Sequence, residues 1–156
     1  MAVLRVGGGE VSIGPCAGRG GDFAGDLVTL LTGPPDLVLS LTESAEMERV
    51  GAAGLPEALA AAGVVWRHVP VRDYGAPEAG WPDAEAAARD VLARGGHVHV
   101  HCMAGCGRSG AAVLRLMVAS GEAPAAALVR LRSVRPCAVE TPAQYEWATT
   151  GSVWKR

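Results

Sequence analysis

The chain has 156 residues, enough for one domain with a sizeable core, and with 49% apolar and 19% charged residues it is not disordered. A formal net charge of −2 gives no overall attraction to nucleic acid. No apolar run approaches about 18 residues and residues 1–6 lack a signal-peptide core, so a cytoplasmic protein with neither membrane nor nucleic-acid partners is expected. The four cysteines, at 16, 102, 106 and 137, are expected as reduced thiols, because a chain of this size does not need a disulfide framework.

In chain order, residues 2–6 and 10–13 flank Gly7, Gly8 and Gly9 and read as a short hairpin. Residues 14–21 are a glycine-rich loop, and 22–31 carry Phe23, Leu27, Leu30 and Leu31 at helical spacing until Gly33-Pro34-Pro35 stops the helix. The apolar run 37–41 reads as a buried parallel strand. Thr42 or Ser44 can cap a short helix over 45–50, and 55–62 is a second helical piece. A strand is expected over 64–71, then a Gly- and Pro-rich loop over 74–82 and a helix over 83–93, ended by Gly95-Gly96. Residues 97–100 form a last strand, followed by helices over 111–119, 124–132 and 142–149. The alternation of strand and helix, without linker or repeat, predicts a single α/β domain over residues 1–156, a mostly parallel sheet flanked by helices.

The chemistry concentrates between the strand at 97–100 and the helix at 111–119, in His101-Cys102-Met103-Ala104-Gly105-Cys106-Gly107-Arg108-Ser109-Gly110. A glycine-containing turn entering a helix points several N–H groups and the positive end of the helix dipole at one place, which suits an anion and phosphate above all. Five residues separate Cys102 from Arg108, so the loop can wrap once and bring thiol and guanidinium to one ligand. The amides, the helix end and Arg108 favour the thiolate, the reactive form of cysteine. Arginine supplies a planar fork for two phosphate oxygens, which lysine cannot do. Ser109 can donate to the sulfur when it leaves, and His101 can fix the loop through its ring nitrogens.

This stretch resembles the signature of the cysteine-dependent protein tyrosine and dual-specificity phosphatases, H-C-x-A-G-x-G-R-[S/T]-G, at every fixed position. The order of strand, acid loop, helix, signature, two helices and glutamine loop is most similar to the kinase-associated phosphatase group, and implies a protein tyrosine phosphatase-like three-layer fold. The resemblance implies a phosphate-binding loop of Met103, Ala104, Gly105, Cys106, Gly107 and Arg108. It implies transfer of phosphate from phosphotyrosine, with phosphoserine and phosphothreonine as further candidates, to Cys102 and then to water. No cofactor or metal is expected. The partner is a phosphorylated protein or peptide, and a monomer is expected. Two alternatives stay open: a phosphatase of inositol or nucleotide phosphates, or a phosphate-binding module without catalysis. The uncharged Met103, Ala104 and Cys106 supply nothing for a polyanion.

Protonation of the leaving oxygen calls for an acid, and two aspartates offer it. Trp81-Pro82-Asp83 spells the family's acid-loop triplet, which normally continues as Asp-x-Gly-x-Pro. That continuation is found instead in Asp73-Tyr74-Gly75-Ala76-Pro77, so Asp73 is expected as the acid and Asp83 as a helix N-cap. Gln144, in Thr141-Pro142-Ala143-Gln144, resembles the glutamine that places the hydrolytic water; its amide both donates and accepts. His97, His99 and His101 alternate along a strand but lack the partner spacing of a zinc site, and Arg19 is expected to be solvated.

Overall fold

The computed structural model describes residues 1–155. Its strands are β1 (Ala2–Val6), β2 (Gly9–Gly14), β3 (Leu37–Ser40), β4 (Val65–His68) and β5 (His97–His101), in one sheet of order β1-β2-β5-β3-β4. β1 and β2 are antiparallel, joined through Gly7 and Gly8 at φ 56° and 93°, the positive values a tight hairpin turn needs. Every other pairing is parallel. The helices are α1 (Phe23–Leu31), α2 (Ser44–Arg49), α3 (Leu55–Ala61), α4 (Trp81–Ala93), α5 (Gly107–Ala119), α6 (Pro124–Val134) and α7 (Pro142–Thr149).

Side-chain alternation sends each strand's residues into two different cores, which produces the three layers. On β3, Leu37 and Leu39 join Val98, Val100, Leu114 and Leu131 beneath α4 to α7, whereas Val38 joins Leu30, Met47, Leu55 and Leu59 beneath α1 to α3. All 13 residues of α5 are buried, as expected of a helix enclosed on all sides. The loop before it is therefore mounted on two rigid pieces, β5 and α5. Truncating Leu114, which is fully buried, to alanine would cost about 2–5 kcal/mol.

Several boundaries differ from the sequence expectation for local reasons. β4 ends at His68 because Pro70 has no N–H, although Val69 and Val71 still donate to the Ser40 and Leu41 carbonyls at 2.9 and 3.1 Å. α2 is preceded by Glu43 rather than Thr42 or Ser44, and the Glu46 carboxylate accepts the Glu43 N–H at 2.8 Å. α4 starts two residues early, with Trp81 and Pro82 in its first turn behind Gly80, so Asp83 is not the N-cap but an exposed first-turn residue. α5 starts at Gly107, inside the signature, rather than at 111.

The expectation of reduced thiols fails for two of the four cysteines. Cys106 and Cys137 form a disulfide with Cα atoms 5.1 Å apart, which closes 31 residues of chain over α5 and α6. Cys16 and Cys102 are free and buried. Among the described residues no helix is long and apolar enough to cross a membrane.

Candidate active site

β5 delivers Cys102, 2% exposed, to the carboxyl end of the central parallel strands. The loop then turns at Gly105, whose φ of 74° and lack of a side chain are both required: a Cβ there would collide with the Gly14 carbonyl and lie 2.7 Å from the Pro15 nitrogen. Its carbonyls are drawn outward. Met103 O accepts the Cys16 N–H at 3.0 Å, while Arg135 donates through Nη2 to Ala104 O and through Nε to Gly105 O, each at 2.8 Å. With three consecutive carbonyls occupied outside, the loop amides are left to face its interior, where the first-turn N–H groups of α5 also lack intrahelical acceptors.

Arg108 is 2% exposed, and its hydrogen bonds dictate which donors remain. Nη1 donates to Glu46 Oε2 at 2.7 Å and to Val71 O at 3.0 Å, and Nη2 donates to Glu46 Oε1 at 2.9 Å. Of the five guanidinium N–H groups, this leaves one on Nη2 and the one on Nε. Those two share an edge and form a fork spaced for two oxygens of a phosphate. Glu46 is buried, which pushes its carboxyl pKa up, but the hydrogen bonds from Arg108 and the Glu43 N–H and the Arg108 charge more than offset this and hold it below the ordinary carboxylate value.

Ser109 Oγ lies 3.1 Å from Cys102 Sγ. His101 is held by a chain of donors. Trp66 Nε1 donates to Ser40 Oγ at 2.8 Å, and Ser40 Oγ lies 2.5 Å from His101 Nε2. His101 Nδ1 lies 3.1 Å from Cys102 O, and since a carbonyl only accepts, the Nδ1–H tautomer with Ser40 donating to Nε2 satisfies every group. Burial pushes the His101 pKa down to about 4 and that of His99 to about 3, so both rings are neutral. Ser12 Oγ bridges His97 and His99 at 2.6 and 2.8 Å. No cluster of three or more metal-ligating side chains occurs among the described residues. Arg19 is exposed, as expected.

The two acid candidates are placed differently. Asp73 Oδ1 is 3.7 Å from Arg108 Nη2, with the side chain 62% exposed and accepting the Tyr74 N–H at 3.0 Å. Asp83 belongs to the first turn of α4. Gln144 is fully buried rather than a surface residue. Its Oε1 accepts the Glu140 and Thr141 N–H groups at 2.8 and 3.2 Å, and its Nε2 donates to Gly75 O at 3.0 Å, tying the loop after Asp73 to α7. The acceptor side of the amide is thus saturated and one N–H is spare, which corrects the expectation of a group free both to donate and to accept.

Residues 36–122, from β3 through α5, match the Tc-R-P family, described as a polymorphic toxin system DSP-PTPase phosphatase. The chain belongs to that family. No curated protein matches it significantly. Among solved structures, the kinase-associated phosphatase KAP with its catalytic cysteine replaced by serine is similar at 19% identity and TM-score 0.76, covering 89% of this chain and 82% of that one. Tk-PTP in its active form has 29% identity and TM-score 0.68, covering 88% and 86%. PTPMT1 in complex with PI(5)P has 20% identity and TM-score 0.78, covering 96% and 93%. The KAP-like layout and the phosphatase fold expected from the sequence are thereby shared.

Three residues of this DSP-PTPase site escaped the sequence reading. Glu46 carries a local signal, Glu43-x-x-Glu46 ahead of a short helix, which points to a cap and says nothing of Arg108, 62 positions on. Arg135 and Cys137 lie outside the matched stretch, and only an even cysteine count hints at the pairing.

Proposed function

We propose that the protein hydrolyses phosphomonoesters, with phosphotyrosine in a protein or peptide as the substrate, through a phosphocysteine intermediate. The observation that carries this reading is the arrangement of Cys102 Sγ against Ser109, in a loop of inward amides, with the free edge of Arg108 left over after Glu46 and Val71 have taken the rest.

The Cys102 thiolate attacks phosphorus in line with the ester oxygen. The P–O bond breaks, and the leaving oxygen takes the proton of Asp73. Water then attacks the phosphocysteine and gives a proton to the Asp73 carboxylate. The S–P bond breaks, the sulfur leaves as thiolate with a hydrogen bond from Ser109, and phosphate departs. Through both steps the charge on the equatorial oxygens is met by the loop amides, the start of α5 and the Nε/Nη2 edge of Arg108, so catalysis is positioning and charge stabilisation. Gln144 holds the acid loop through Gly75 and offers its spare N–H to the water. No step calls for a cofactor.

A groove of about 390 Å³ opens beside the acid, lined by Val71, Asp73, Tyr74 and Glu78 with Arg72 as its one basic residue. Tyr74, 61% exposed, offers an aromatic face there. This supports an aryl ester over a polyanion, as does the uncharged loop. The test is turnover of phosphotyrosine, phosphoserine, phosphothreonine and phosphoinositide substrates by the wild type and Cys102→Ser. Wild-type turnover led by phosphotyrosine is expected, with none in the variant and substrate binding retained. Near-normal rates in Cys102→Ser would refute the covalent route, and a preference for phosphoinositides would refute the substrate.

A further inference from the structure

One five-residue segment behind the loop grips three successive residues of it. Arg135 holds the Ala104 and Gly105 carbonyls at 2.8 Å each, Cys137 is bonded to Cys106, and the Val139 N–H donates to Cys106 O at 3.3 Å. The segment is itself pinned. Arg132 donates through Nε to Ala138 O at 2.9 Å and through Nη2 to Val139 O at 2.8 Å. Val139, 5% exposed, sits at φ 65°, a left-handed conformation disfavoured for a β-branched residue, which persists only where the surroundings over-determine it. It also packs against the backbone of α5 at Gly110, where a Cβ would stand 2.5 Å from Val139 N.

We propose that residues 135–139 are a clasp that sets the phosphate loop in its binding conformation, with Arg135 as a positioning residue and the Cys106–Cys137 disulfide as a pin that reductants withdraw. The proposal rests on the phosphatase reading and adds regulation of the same site. Two forked hydrogen bonds fix the carbonyls of Ala104 and Gly105, and the disulfide fixes the next residue from its side chain. A lysine at 135 has the charge but no planar fork for two carbonyls.

The pin can be withdrawn because Cys137 is exposed and Cys106 is the half-buried residue preceding α5. A thiolate of a dithiol attacks Cys137 Sγ and the S–S bond breaks. Cys106 leaves as a thiolate, stabilised by the start of α5, and takes up a proton from solvent. The second thiol of the reductant then displaces Cys137, so that two protein thiols and one reductant disulfide result, a transfer of two electrons and two protons. Arg135 remains, and the loop loosens rather than collapses. Cys102 takes no part in the exchange and stays free for chemistry.

The experiment uses protein purified without reductant and shown by mass spectrometry to carry the 106–137 link with Cys102 as a thiol. Calorimetry gives the Kd for inorganic phosphate, and turnover of an aryl phosphate is followed in parallel. Dithiothreitol on the wild type, or Cys137→Ser without it, should weaken phosphate binding about tenfold, the scale of a small misplacement of binding groups. Dithiothreitol should add nothing to Cys137→Ser. Arg135→Ala and Arg135→Lys should weaken binding alike, and more so in reduced than in oxidised protein. An unchanged Kd in dithiothreitol-treated and Cys137→Ser protein, whatever happens to Tm, would overturn the clasp and leave the hydrolase reading intact. Redox-sensitive phosphate binding without turnover would support the clasp and refute hydrolysis. Absence of phosphate binding by the oxidised wild type would overturn both.

Discussion

Replacing Glu46 by glutamine tests whether Arg108 is aimed or merely present. Glu46 is 8% exposed, and its carboxylate makes two charge-assisted hydrogen bonds to Arg108, at 2.7 and 2.9 Å, besides accepting the Glu43 N–H. Glutamine preserves volume and one acceptor, but places an NH₂ against a guanidinium and leaves a buried cation without its counter-charge. Breaking a buried pair in this way costs about 3 kcal/mol, the low end of the usual range because one acceptor survives. At about 2–4 °C per kcal/mol for a chain of this size, Tm should fall by roughly 6–12 °C. The guanidinium, held then chiefly by Val71 O, rotates and the Nε/Nη2 edge loses its aim, so kcat/KM should fall about 10–100-fold, or roughly 1.4–2.7 kcal/mol. Glu46 also leaves a pH signature. Its folded pKa is lowered, so its contribution is full above the unfolded value of about 4.3 and is lost as pH falls through the folded value; the Gln variant should lack this acid limb in a urea-melt series. A variant with lower Tm but wild-type kcat/KM, measured well below its melting range, would refute the aiming role.

The acid assignment is separated by leaving group: Asp73→Asn should depress turnover far more on phosphotyrosine than on an activated aryl phosphate, whereas Asp83→Asn should change little on either. A leaving-group-dependent collapse in Asp83→Asn alone would reverse the assignment. The buried histidines predict acid sensitivity, since their folded pKa values lie below the ordinary value of about 6.5. The unfolded chain binds the extra protons, so stability is full above that value and declines as pH falls towards about 4 for His101 and about 3 for His99. The decline is worth roughly 3 kcal/mol for His101. Unfolding free energies of His99→Asn across this window should fall less steeply than those of the wild type, and parallel curves would refute the link.

Legibility in the sequence followed the range of the interactions. Leu37, Val38 and Leu39 read as a buried strand because both sheet faces are covered, and the loop from Cys102 to Ser109 read as an anion cradle because its geometry is local. The start of α4 was missed because a proline in a first turn looks like loop composition. Gln144 was read for its chemistry but not for its neighbours: three of its partners are backbone groups, one of them Gly75 on a distant loop. Glu46, Arg135 and the Cys106–Cys137 pair are contacts between elements far apart in the chain, and nothing in residue type or spacing selects one acid, one arginine or one cysteine pair from the others.

The neutralised state of Arg108 bears on how a ligand is found as well as how it is held. With the Arg108 charge paired to the Glu46 carboxylate, the approaching monoester meets an array of N–H donors and little net positive field. Donors act at contact, whereas field acts across a Debye length of about 8 Å at physiological salt. Encounter should therefore depend weakly on ionic strength, and discrimination should rest on the tetrahedral arrangement of oxygens rather than on the number of negative charges. Such a loop should not become a sink for nucleic acids and other polyanions, because it offers them no long-range attraction beyond that of a single phosphate group.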